Sequence, residues 1–182
     1  MKTKKAIKQM KLKTLNRIAL FTALLAVCAW ISIPSPVPFT LQTFGIFLAA
    51  GLLGKTKGTI SVLVYILLGA MGLPVFSGGR GGLGIILGET GGYIMGFLPA
   101  TYVGGAMCEK NKKPLALFAS MVLGLIVCYA AGSMWAYFMF FKVGYTGVIT
   151  VLTKHILSFI VPDLIKLAVA TFVVKELNKR GI

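Results

Sequence analysis

The chain has 182 residues, 57% of them hydrophobic and only 13% charged, with a mean hydropathy of +0.89. Ordinary soluble domains carry about 25% charged residues. A soluble fold of this length could not hide so much apolar side chain, so an integral membrane protein surrounded by lipid is expected. The formal net charge of +15 does not imply a nucleic-acid partner, because the bases sit in short clusters between apolar runs, as the flanks of membrane spans do.

In chain order, residues 1–16 form a basic arm. Lys2, Lys4, Lys5, Lys8, Lys11, Lys13 and Arg17 precede an apolar run, a pattern shared with signal peptides. No A-x-A site closes that run, and Val27 precedes Cys28 where a lipoprotein site needs a small residue. The run is expected to stay as a first span. Apolar runs then give six candidate spans: Arg17–Ile33, Leu41–Gly54, Thr59–Leu73, Thr90–Cys108, Pro114–Phe141 and Val148–Val174. A span takes about 20 residues, so the second and third are short and must borrow flanking residues. The expected fold is an all-α membrane protein: a cytoplasmic arm over 1–16 and a six-helix transmembrane domain over 17–182.

Charge orients the spans. The seven N-terminal bases, Lys55 and Lys57, Lys110, Lys112 and Lys113, and Lys175, Lys179 and Arg180 all fall on one side of a six-span arrangement. The other side holds only Arg80, Lys142 and Lys154. Positive charge is retained inside, so both termini are expected in the cytoplasm of a multi-pass cell-membrane protein.

The outer connection between the third and fourth spans is rich in glycine. Gly72 to Tyr93 reads G-L-P-V-F-S-G-G-R-G-G-L-G-I-I-L-G-E-T-G-G-Y, with nine glycines. Such backbone reaches positive φ and, at positions such as Gly79 and Gly81, can present N–H groups to a ligand. Non-helical backbone at membrane depth is tolerated where it is buried or lines a wet cavity. A nucleotide loop is excluded, since there is no strand before it, no βαβ context and no G-K-[ST]. Into the fourth span, Gly92, Gly96, Ala100 and Gly104 make a smooth stripe for a neighbouring helix, and Ala19, Ala23 and Ala26 make another in the first. Cys28, Cys108 and Cys128 are scattered without metal spacing and read as small buried hydrophobes. His155, beside Lys154, is read as an interfacial residue, and no cluster supports a metal site.

The last span carries the most informative charges. Ile156 to Val174 is apolar except for Asp163 and Lys166, which a helix would place on one face. Each charge inside a bilayer costs roughly 2.5–3.5 kcal/mol, so an intramembrane pair marks a candidate functional site.

Four segments together resemble the BioY family, the biotin-binding S component of energy-coupling factor (ECF) vitamin transporters. They are P-V-P-F-T-L-Q-T-F-G (Pro36–Gly45), L-L-G-A-M-G-L-P-V-F-S-G-G-R-G-G (Leu67–Gly82), G-E-T-G-G-Y-I-M-G-F (Gly88–Phe97) and P-D-L-I-K (Pro162–Lys166). Glu89 stands where the family commonly has proline. The resemblance implies a six-helix subunit that binds one biotin near the outer face and delivers it with a transmembrane coupling protein and two ABC-type ATPases. It implies that Ala19 and Ala23 meet the coupling protein and that Asp163 and Lys166 bind ligand.

Biotin has a ureido ring with N–H donors at one end and a carboxylate at the other. Asp163 is the candidate ureido acceptor, and Lys166 or Arg80 the candidate cation. Phe39, Phe76 and Tyr93 would cover the bicyclic body, and Thr40 and Gln42 would supply hydrogen bonds. No cofactor is expected, biotin being cargo. With no Walker motif, ATP hydrolysis must come from partners, and Asp163 lacks the companions that an enzyme would need. The competing readings are an autonomous ion-coupled carrier, which inverted repeats would favour, and a non-catalytic structural membrane subunit.

Overall fold

A computed structural model describes residues 2–33, 39–142 and 148–180, with side chains over 9–33, 39–139 and 159–180. The connections around Pro36 and 143–147, and the side chains of Lys154 and His155, lie outside the described residues. Helices dominate: α1 (Lys2–Trp30), α2 (Gln42–Ala70), α3 (Leu83–Ile86), α4 (Gly91–Lys110), α5 (Pro114–Lys142) and α6 (Val148–Lys179). A two-residue antiparallel ladder joins β1 (Ser32–Ile33) to β2 (Phe39–Thr40), pairing Ser32 with Thr40.

The basic arm is helical and continuous with the first span, so α1 starts far before Arg17 and stops at Trp30. Nothing between Lys2 and Trp30 breaks a helix, there being neither glycine nor proline. The second and third expected spans form one helical run bent at Gly54, whose φ of 75° and ψ of −175° leave the helix. Only glycine tolerates that backbone readily. The bend exposes two sets of backbone groups, and α4 and its following turn answer both. Glu109 Oε1 accepts from the Lys55 N–H at 3.0 Å, and Lys112 Nζ lies 3.5 Å from the Gly51 carbonyl. A carboxylate at the helix start and a cation at the helix end each suit the local dipole.

The glycine stripe of α4 is used within the chain. Gly92 abuts Trp135, Gly96 meets Ala131 and Cys128, and Gly104 faces Ser120, so α4 lies close along α5. Phe47, Tyr65, Leu25, Leu117, Met121 and Leu167 are buried between the helices. Gly51 brings α2 against Val174 of α6, and Thr22 of α1 donates to the Ser61 carbonyl at 3.0 Å. Among the described residues, three segments are long and apolar enough to cross a membrane: Gln9–Trp30, Gln42–Ala70 and Pro114–Met139. Beyond the apolar part of α6, Lys179 donates to Glu176 at 2.9 Å and holds that carboxyl below the usual range.

Candidate ligand-binding site

Asp163 follows Pro162 on α6, and Lys166 lies one turn on. They pair at 2.8 Å and are 2% and 7% exposed. Breaking such a buried pair by removing one partner is costly, because the remaining charge is left uncompensated. Neighbouring helices add to the pair. Thr43 Oγ1 of α2 donates to Asp163 Oδ1 at 2.8 Å, and Tyr129 of α5 donates its hydroxyl to Oδ2 at 2.6 Å. Asp163 thus ties α2, α5 and α6 together.

Counting donors and acceptors separates the two charges. Lys166 has three N–H donors. They go to Asp163 Oδ1 at 2.8 Å, the Thr40 carbonyl at 2.6 Å and Thr43 Oγ1 at 3.3 Å. The ammonium also stands 3.9 Å above the Phe39 ring, which stacks on Phe159 at 5.8 Å. Lys166 is therefore saturated. A carboxylate has about four acceptor positions. Among the described residues two donors reach Oδ1 and one reaches Oδ2, which leaves Oδ2 a position for a further donor.

Asp163 and Lys166 line a cavity that is open at its mouth, with about 830 Å³ of empty space when the solvent at the mouth is included. Gln42 and Thr43 of α2 contribute to its wall, as do Tyr93, Ile94 and Phe97 of α4, Cys128 and Tyr129 of α5, and Phe159 of α6. The glycine-rich segment adds Phe76, Ser77, Arg80, Ile85 and Thr90, and Thr40 completes the wall. A second polar group lies at the Thr40 side. Thr40 Oγ1 donates to Gln42 Oε1 at 2.8 Å, and Gln42 Nε2 donates to the Tyr65 hydroxyl at 2.7 Å. Arg80 is exposed, and its Nε donates to the Ser77 carbonyl at 3.1 Å. Its terminal guanidinium nitrogens have no hydrogen-bond partner among the described residues.

Of the residues singled out from the sequence, Asp163, Lys166, Arg80, Tyr93, Thr40, Gln42 and Phe76 line this one cavity. Phe39 does not line it, but lies under the Lys166 ammonium. Gly79 and Gly81 are also absent from the wall. The Gly79 N–H is spent on the Phe76 carbonyl at 3.1 Å, and Gly81 packs against the Gly72 and Leu73 carbonyls. Both positions shape the turn, Gly79 through its N–H and Gly81 through close backbone packing. Ala19 and Ala23 are exposed along α1, away from the cavity, and Glu89 is an exposed turn residue outside the wall. Thr43 and Tyr129 were not anticipated. Thr43 sits in a polar T-L-Q-T run that could have signalled it, whereas nothing local marks Tyr129 within the apolar α5.

A profile of the BioY family matches residues 1–181. The chain belongs to the BioY family. It is 43% identical over 169 residues to a Thermotoga maritima protein named biotin transporter BioY, covering 92% of this chain and 97% of that one. It is 40% identical over 170 residues to a probable biotin transporter BioY of Pyrococcus horikoshii, covering 93% and 98%. Among solved structures, the fold matches a crystal structure of the S-component for biotin from an ECF-type ABC transporter, with a TM-score of 0.84 and 33% identity over 94% of this chain and 93% of that one. This BioY chain also shares its fold, at 20% identity and a TM-score of 0.57, with an S component of a bacterial ECF transporter, the match covering 93% and 95%.

Proposed function

We propose that the chain is the biotin-binding S component of an ECF transporter, capturing biotin at the outer face of the cell membrane for ATP-driven uptake. The observation that carries this reading is the asymmetry of the cavity. A buried carboxylate keeps one acceptor position at one side, and an exposed guanidinium with unpartnered donors stands in the glycine-rich segment. Biotin has the complementary ends. Its ureido N–H groups suit Asp163 Oδ2 and its carboxylate suits Arg80, with Phe76 and Tyr93 against the bicyclic body. The three contacts of Lys166 support a role in holding Asp163, Thr43 and Thr40 in place, with Arg80 as the cation for the carboxylate.

The relatives' names and the biotin S-component neighbour support the substrate. The chain spans the membrane six times, with α2 counted as two crossings that meet at Gly54, and both termini are cytoplasmic. That placement leaves the bases near Lys55 and Lys112 inside and the cavity near the outer face, in line with charge retention. A transmembrane coupling protein and two ABC-type ATPases complete the transporter, and the exposed Ala19 and Ala23 form the smooth strip on α1 that meets the coupling protein. Titration of biotin into the purified chain tests the reading: saturable binding of one biotin supports it, and no binding removes it.

A further inference from the structure

The glycine-rich segment supplies five residues to the cavity wall, among them Phe76 and Arg80. Four of its glycines, Gly72, Gly78, Gly79 and Gly82, have positive φ, and such backbone has little order of its own. Both tryptophans of the chain are hydrogen-bonded to it. Trp30, the last residue of α1, donates Nε1–H to the Pro74 carbonyl at 2.7 Å. Trp135 of α5 donates Nε1–H to the Gly88 carbonyl at 3.0 Å. The two acceptors bracket residues 75–87, so each end of the stretch bearing Phe76 and Arg80 is tied to a different helix.

The surroundings fit this use. Gly92 leaves room for the Trp135 side chain, where a Cβ would collide with it. Trp30 is 54% exposed, so filling space in a core is not what the indole does. A tryptophan at such a place ordinarily turns its N–H to the membrane interface, yet this one turns it onto Pro74. Between the two ties, the Phe76 ring sits over Gly69 and edge-on to Tyr65 at 5.5 Å, and the Gly82 N–H donates to the Gly69 carbonyl at 2.7 Å. Among the described residues, the Arg80 side chain is hydrogen-bonded within the segment, to Ser77. Its position relative to Asp163 is therefore inherited from where the segment is tied.

We propose that Trp30 and Trp135 are positioning residues: their indole N–H groups clamp the two ends of the segment, hold Arg80 at the cavity, and thereby set how long the ligand stays. The ligand is biotin on the functional reading above, on which this inference rests. The test uses the full chain purified in detergent, as wild type, Trp30→Phe and Trp135→Phe, with dissociation of radiolabelled biotin followed by chase. Each variant should speed release about fivefold, the factor carried by one ordinary net hydrogen bond. Amide hydrogen exchange in residues 75–87 should rise in the ligand-free protein. In an Arg80→Ala background, Trp30→Phe should change release less than twofold.

Unchanged exchange over 75–87 together with an unchanged release rate in Trp30→Phe overturns the clamp. So does an equal acceleration with and without Arg80, or exchange that rises uniformly along the chain, since those describe a generally loosened protein. Trp30 is exposed, so its variant keeps the fold even if Trp135→Phe does not. If the wild type binds no biotin, the functional reading falls, while exchange in the ligand-free variants still decides whether the indoles hold the segment.

Discussion

Replacing Asp163 with asparagine changes one oxygen to an amide nitrogen and removes one charge, with almost no change in volume. In the native protein this carboxylate accepts from Lys166 at 2.8 Å, Thr43 at 2.8 Å and Tyr129 at 2.6 Å. Asparagine keeps a carbonyl that can serve Lys166 and Thr43, and turns its NH₂ toward Tyr129 and the cavity. On the proposed reading, a ureido N–H that would have met an acceptor then meets a donor. A hydrogen bond to a charged group contributes about 1.5–3 kcal/mol, so the biotin Kd should rise about ten- to 150-fold. Lys166, only 7% exposed, loses its counter-charge but keeps the Thr40 carbonyl and the Phe39 face, so the variant should reach the membrane folded with a lowered unfolding temperature. The assay is calorimetric titration of biotin into purified Asp163→Asn beside a thermal melt. An unchanged Kd in a destabilised protein would refute the ligand role and leave the pair as packing alone.

Arg80→Ala should weaken biotin about tenfold or more while leaving the affinity for biotin amide, which lacks the carboxylate charge, nearly unaltered. Equal loss for both ligands would return the carboxylate to another cation. Gly54→Ala forces a side chain into a backbone conformation that costs about 1–3 kcal/mol away from glycine, and the new Cβ meets Glu109. Its unfolding temperature should fall below that of the wild type; a melt identical to the wild type would contradict this reading of the bend.

The sequence carried the local relations well and the distant ones poorly. Asp163 and Lys166 were legible as a pair because i,i+3 spacing on a helix is a local fact, and their cost in a bilayer marked them as purposeful. The boundaries of α4 and α5 followed from charge and proline punctuation around apolar runs. The helical state of the basic arm was missed because its charges were read for topology, although its residues are good helix formers. Tyr129 was invisible for a different reason. Its meeting with Asp163 depends on how α5 is rotated against α6, and a uniformly apolar helix has no stripe to reveal its facing side. Thr43 reaches Asp163 across 120 residues of sequence through the packing of α2 on α6, which no local pattern encodes. At Gly79 and Gly81 the conformational freedom of glycine was legible, whereas the turn contacts it serves depend on how the segment folds back on Gly72, Leu73 and Phe76.

The most direct test of the whole account is titration of the purified wild-type chain with biotin, desthiobiotin and lipoate. All three carry a carboxylate tail, but lipoate has no ureido group to meet Asp163. One biotin should bind per chain, with lipoate binding at least tenfold more weakly. Absence of biotin binding, or equal affinity for biotin and lipoate, would contradict it.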